Sequence, residues 1–117
     1  ASKATLKAVA EEWLTENRAD WSAHHLERNR GLLERILYPD LGELPIGEIT
    51  EPMLLDALRK SYNKGIRESA RRARAVAAQV FTYAKETHRA THNPARELAG
   101  SKLLKRPEVR HFAALKA

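Results

Sequence analysis

Apolar residues return along this chain with helical spacing almost from its start. Leu6, Val9, Ala10, Trp13 and Leu14 fall at i, i+3, i+4, i+7 and i+8, one face of a helix over about 5–18, with Thr5 as its N-cap. A second stripe, Leu26, Leu33, Ile36 and Leu37, predicts a helix that starts at the cap Ser22 and stops at "YPDLGELPIGEIT" (38–50). Pro39, Gly42, Pro45 and Gly47 punctuate that loop. Its Leu41, Leu44, Ile46 and Ile49 are expected to pin it to the core. Thr50, followed by Glu51 and Pro52, opens a third helix, with Met53, Leu54, Ala57 and Leu58 facing inward and an end before Gly65.

The longest periodic stretch predicts a fourth helix over about 66–88. Ile66, Ala70, Ala73, Val76, Ala77, Val80, Phe81 and Ala84 form its buried stripe. "NPARELAG" reads as a short fifth helix, with Asn93 as cap, Pro94 first and Gly100 as stop. No stretch alternates apolar and polar residues in the manner of a strand. The fold expected is therefore all-α: a compact bundle of four main helices plus a short C-terminal helix. Residues 1–100 form the domain. Residues 101–117, basic and broken by Pro107, read as a linker or tail.

Composition changes this picture in one respect. The chain has 117 residues, enough for a single domain with one modest core, and its 43% hydrophobic content is that of a folded protein. No apolar run approaches the ~18 residues a membrane-spanning helix needs. The start lacks the apolar core of a signal peptide. The lack of cysteine removes disulfides and thiolate metal sites and fits a reducing cytoplasm. The net charge of +6, however, is not spread evenly. Residues 59–74 hold Arg59, Lys60, Lys64, Arg67, Arg71, Arg72 and Arg74 against the single acid Glu68, and the rest of the chain balances. Local basicity of this kind suggests a polyanionic partner.

On a helical wheel Arg71 points away from the buried stripe. Arg67 and Arg74 flank it on one side and Arg72 on the other, and Ala75, Ala78 and Thr82 continue the outward face. These arginines repel one another and sit near the positive end of the helix dipole, at a cost of a few tenths of a kcal/mol to about 1 kcal/mol. A bound anion would offset that cost. Small residues beside arginines also let a bulky partner approach, and the major groove of B-DNA, about 12 Å wide, admits one helix. Arginine grips phosphate and guanine edges bidentately. The alternative is a solvated face partly neutralised by Glu68. The second helix offers a weaker set, Ser22, His24, His25 and Arg28 at its start with Arg30 and Arg35 further on, which reads equally as phosphate contacts or as polar surface.

The ordered set of segments resembles the core-binding domain of phage-type tyrosine recombinases, the integrase family. The resemblance is carried by "TLKAVAEEWL", by the turn Leu41-Gly42-x-x-Pro45-Ile46-x-x-Ile49 with its capping Thr50, and by a long helix holding Phe81-x-Tyr83-Ala84 before Asn93-Pro94-Ala95. "VRHFAAL" (109–115) is similar to the lead-in to a catalytic domain. The resemblance implies a SAM-like helical domain that covers one side of double-stranded DNA at a recombination core site, in a bacterial, nucleoid-associated setting. The catalytic domain of the same parent chain would cover the other side. Carried onto this sequence, it points to His24, His25 and Arg28 and to Lys64, Arg67, Ser69, Arg71, Arg72 and Arg74 as DNA-contacting residues. It also implies contacts with neighbouring recombinase protomers, with the short fifth helix and the tail as candidates.

Catalysis is not expected of this piece. His25-Leu26-Glu27-Arg28 matches the family's His-x-x-Arg box and Tyr62 follows it, but the match lies in the wrong domain and reads as coincidence. Tyr38 and Tyr83 have no motif around them. His88 and His92 are four apart without a Cys or an acidic cluster, so they read as surface histidines, and no metal or other cofactor is expected. Trp13 belongs to the core, and Trp21 before a cap suggests a hydrophobic staple. Two other readings stay open. A helix-turn-helix regulator would need a short recognition helix after a tight turn, where this helix is long. A helical protein-interaction module would dock its basic face on an acidic protein.

Overall fold

Three side-chain caps set where the helices start. In the computed structural model, which describes residues 4–99 and 101, the hydroxyls of Thr5, Ser22 and Thr50 accept from the amides of Ala8, His25 and Met53. They open α1 (Leu6–Asn17), α2 (Ala23–Leu32) and α4 (Glu51–Asn63) at the positions the sequence indicates. The side chain of Asn93 accepts from Arg96 N and opens the short α6 (Pro94–Glu97). Between α4 and α6 runs α5 (Arg67–Glu86), the longest helix. Gly100 as a stop and the linker reading of 102–117 lie outside the described residues.

The second helix does not end at Tyr38. It continues through a π-helical segment, Leu33–Leu37, into one further turn, α3 (Tyr38–Leu41). Pro39 has no amide proton, and its ring would collide with a carbonyl of an uninterrupted α-helix. The wider turn, in which Tyr38 N donates to Leu33 O, shifts the hydrogen-bond ladder so that Pro39 enters at the first turn of α3, where its missing donor costs nothing. The loop that follows is pinned by its apolar residues: Leu41, Ile46 and Ile49 are buried and Leu44 packs against the core. Backbone bonds from Leu6 N to Leu44 O (2.9 Å), Lys7 N to Gly42 O (3.0 Å) and Ile46 N to Ala4 O (2.8 Å) stitch it to the start of α1.

α5 is the central element. It packs against α1, α2, the π-helical segment, α4 and α6. Ala70, Ala73, Val76, Ala77, Val80, Phe81 and Ala84 are buried along it, with Phe81 fully enclosed. Ile66 departs from its expected place in this stripe. It precedes the helix with φ −96° and ψ 60° and is 50% exposed. The cause is the turn before it. Gly65 takes φ +92°, its amide donates to Tyr62 O and Ile66 N donates to Ser61 O, so the chain reverses before α5 begins. The far end of α5 closes in the same way around His88, at φ 64°, with His88 N to Lys85 O and Arg89 N to Ala84 O. The described residues are helix, turn and loop, with one isolated bridge between Thr5 and Pro45. No helix among them is long and apolar enough to cross a membrane.

Candidate nucleic-acid interface

The basic segment straddles the α4–α5 corner, and the fold divides its cations into those it uses and those it leaves outside. Lys60 Nζ lies 3.0 Å from Asp40 Oδ2, a tie between α4 and α3. Arg59 is half-buried along α4. Arg74 turns inward: its Nη1 donates to Ala95 O at 3.1 Å and holds α6 against α5. Arg71 pairs with Glu68, and its side chain is only 25% exposed. The outward direction that the helical wheel gives Arg74 is thus corrected. A wheel places Cβ atoms, but a guanidinium reaches several ångströms further and follows whatever packs beside the helix, here α6 for Arg74. Arg72 remains, 54% exposed, with its Nε donating to Glu68 Oε2 at 3.1 Å. Arg67 is exposed, 5.2 Å above the ring of Tyr62. Lys64 is exposed just past the end of α4, and Ser69 is half-buried.

Glu68 is the anionic counterpart. Hydrogen bonds from Arg72 and then Arg71 hold its carboxyl below the ordinary 4.5. Such exposed pairs are worth at most about 1 kcal/mol and yield to a stronger anion.

The outward face of α5 is also narrower than the sequence suggests. Asn93 is buried, and its Nδ2 donates to Ala78 O (2.9 Å) and Thr82 Oγ1 (3.1 Å). The cap of α6 therefore leans on α5 at Ala78 and Thr82. Beside that contact a groove of about 390 Å³ is lined by Ala78, Gln79, Thr82, Tyr83, Glu86 and Arg96, and the side facing α2 is open as well. There a groove of about 200 Å³ runs between the two helices, floored by Leu32 and Val76 and lined by Arg28, Arg72, Ala75 and Gln79. Arg28 and Gln79 are exposed and Ala75 is half-buried. Gln79 was not singled out in the sequence because it carries no charge. Its spacing from Arg72 and Ala75, at i+7 and i+4, was the available signal.

α2 is oriented by contacts on its other side. Arg30 Nη1 donates to Glu11 Oε1 at 2.9 Å, and Tyr38 OH donates to Glu11 Oε2 at 2.9 Å. Burial and the neighbouring Glu11 carboxylate push the Tyr38 phenol upward, so it stays a donor. Arg30 thereby belongs to the α1–α2 contact and not to the open face. At the start of α2, Trp21 meets Trp13 edge-on with centroids 5.1 Å apart and stacks on His25 at 4.5 Å, with planes 6° apart. Trp13 is buried in the core, as expected, and Trp21 fastens the entry to α2 through His25. His25 is half-buried under that stack, whereas His24 is exposed.

The structure thus brings Arg28 and Arg72 to one groove and leaves Lys64, Arg67 and His24 exposed elsewhere on the surface. His25 of the His-x-x-Arg match is stacked on Trp21 and its Arg28 lines the groove, whereas Tyr62 lies beneath Arg67 at the end of α4. His92 Nε2 lies 3.1 Å from Ile49 O. No group of three or more His, Cys, Asp or Glu able to hold a metal gathers among the described residues.

A family model described as the phage integrase central domain matches residues 6–101. The chain is 32% identical over 95 residues to the integrase of Shigella phage Sf6, covering 81% of this chain and 25% of that protein. It is 33% identical over 104 residues to prophage integrase IntZ of Escherichia coli strain K12, covering 89% of this chain and 26% of IntZ. Among solved structures, a fragment of the phage integrase IntS of E. coli, determined by NMR, matches with a TM-score of 0.73 at 31% identity over 85% of each chain. The chain spans about a quarter of the length of the curated relatives it matches.

Proposed function

The chain belongs to the phage integrase central-domain family, and we propose that within it the groove between α2 and α5 seats one face of double-stranded DNA. The observation that carries this reading is that Arg28 and Arg72, from different helices, line one groove together with the small side chain of Ala75. Two guanidinium groups with little bulk between them suit a phosphate backbone or a guanine edge. A helix about 10–12 Å across fits a major groove about 12 Å wide, provided the face presented is not bulky. Ala75 supplies that narrow point. Lys64, Arg67, Ser69, Arg71 and His24, which lie outside the groove lining, are proposed as further phosphate-positioning groups. Gln79, seven residues beyond Arg72 on α5, is placed to add an adenine-type contact.

In this reading the domain is the non-catalytic, DNA-binding part of a tyrosine site-specific recombinase that acts in DNA integration. The names of its relatives and its share of their length support that assignment. A catalytic domain of the same parent chain would close over the opposite side of the duplex. The α6 region is the surface assigned to neighbouring protomers. A helix-turn-helix regulator fits less well, because α5 has 20 residues and follows a 13-residue helix through the Gly65 corner.

The test is a fluorescence-anisotropy titration of labelled duplex DNA at about 50 mM and about 200 mM salt, beside a titration with an acidic protein. Salt-dependent binding to the duplex supports the proposal. Preference for the acidic protein, with little binding to DNA, would make the basic face a protein-docking surface.

A further inference from the structure

Glu68 is the only acid in the basic segment, and it stands on the same helix as Arg72, one of the two groove arginines. Its Oε2 accepts from Arg72 Nε at 3.1 Å and its Oε1 accepts from Arg71 Nη2. It is the second residue of α5, where the helix dipole is positive. The two arginines keep its carboxyl below the ordinary carboxylate range, so it remains charged at neutral pH. A phosphodiester presents arginine with much the same target: anionic oxygens that accept two parallel N–H bonds. The carboxylate therefore occupies donors that a phosphate would use.

We propose that Glu68 acts as an internal stand-in for a DNA phosphate and sets how strongly Arg71 and Arg72 grip the backbone. The inference rests on reading the α2–α5 groove as the DNA interface. For Arg72 to take a phosphate on its Nε edge it must release Glu68, and on its other edge the carboxylate still lies close to the incoming anion. Both effects oppose phosphate binding. A base edge is different, because the acceptors of guanine carry no net charge and are repelled less. Glu68 thus penalises sequence-independent backbone contact more than base contact. It lowers affinity for arbitrary DNA more than for a site whose base edges Arg72 contacts.

This role has a signature that a purely structural one lacks. Glu68 favours the folded state through its ion pairs and its place at the helix start, so Glu68→Gln lowers thermal stability slightly. Were Glu68 only a support for the site, binding would weaken along with stability. As a phosphate competitor, its loss strengthens binding while stability falls.

The experiment titrates wild type, Glu68→Gln and Arg72→Ala against one short duplex of arbitrary sequence at two salt concentrations, with a thermal melt of each protein. The expected result is about fivefold tighter binding by Glu68→Gln at low salt, the factor an exposed ion pair commands, with a steeper salt dependence because more cations are free to displace counterions. Arg72→Ala binds more weakly. If Glu68→Gln binds no more tightly than wild type while Arg72→Ala still loses affinity, the role of Glu68 is overturned and the groove assignment stands. If neither substitution alters binding by folded protein, the groove assignment falls and this inference falls with it.

Discussion

Arg28 of α2 and Arg72 of α5 line opposite sides of one groove, with Ala75 on the helix between Arg72 and Gln79. Neither helix alone makes this arrangement. It depends on α2 being held from behind by the Arg30–Glu11–Tyr38 contact and on α5 being packed on several sides by the rest of the domain. The predictions below separate residues that build this support from residues the groove offers to a partner.

Arg74 belongs to the support. Replacing it with Met keeps the apolar stem and removes the bond to Ala95 O. A thermal or urea melt is expected to show a loss of about 1.5–3 kcal/mol, the range for a hydrogen bond from a charged donor. DNA binding by Arg74→Met should fall less than that of Arg72→Ala.

Asn93 is a buried junction. Its Oδ1 caps α6 through Arg96 N, and its Nδ2 bonds Ala78 O and Thr82 Oγ1. Asn93→Ala removes a cap and leaves two acceptors short of a donor. An expected loss of about 2 kcal/mol should appear in a urea melt.

His88 closes α5 in the left-handed region, at φ 64°. A non-glycine residue pays about 1–2 kcal/mol there, and glycine returns part of the gain through its looser unfolded chain. His88→Gly is expected to stabilise the domain by about 0.5–1 kcal/mol, read as a rise in melting temperature.

Glu12 joins α1 to the end of α5. Its Oε1 accepts from Tyr83 OH at 2.9 Å and pairs with Arg89 Nη2. The bond from Arg89, then that from Tyr83, lowers its carboxyl below 4.5. A carboxyl lowered in the folded state contributes stability above its unfolded value and loses it as pH falls through the folded value. Stability should therefore decline as pH drops below about 4.5, and Glu12→Gln should show a shallower decline in melts taken across that range.

Much of this fold was legible because caps and apolar spacing act locally. Thr5, Ser22, Thr50 and Asn93 each mark a helix start in the sequence and in the structure. What the sequence hid lay in unmarked turn geometry and in contacts between distant segments. Pro39 reads as a stop because a π-helical turn that accommodates it has no sequence marker of its own. Ile66 fits the stripe of α5 by spacing alone, yet the left-handed turn at Gly65 puts it in solvent. Arg74 carries the same charge as Arg72, and only the position of α6 decides that Arg74 is a fastening while Arg72 stays on the surface, paired with Glu68. Gln79 carries no charge to mark it, although its place on the groove follows from the same periodicity as that of Arg72.

The central claim is that Arg28 and Arg72 act together on one duplex. Its most direct test is a salt-dependent anisotropy titration of wild type against Arg28→Ala/Arg72→Ala. The account predicts at least about tenfold weaker binding at low salt and a salt slope reduced by about two, with an unchanged melting temperature. Binding of the folded double variant with wild-type affinity and slope would contradict it.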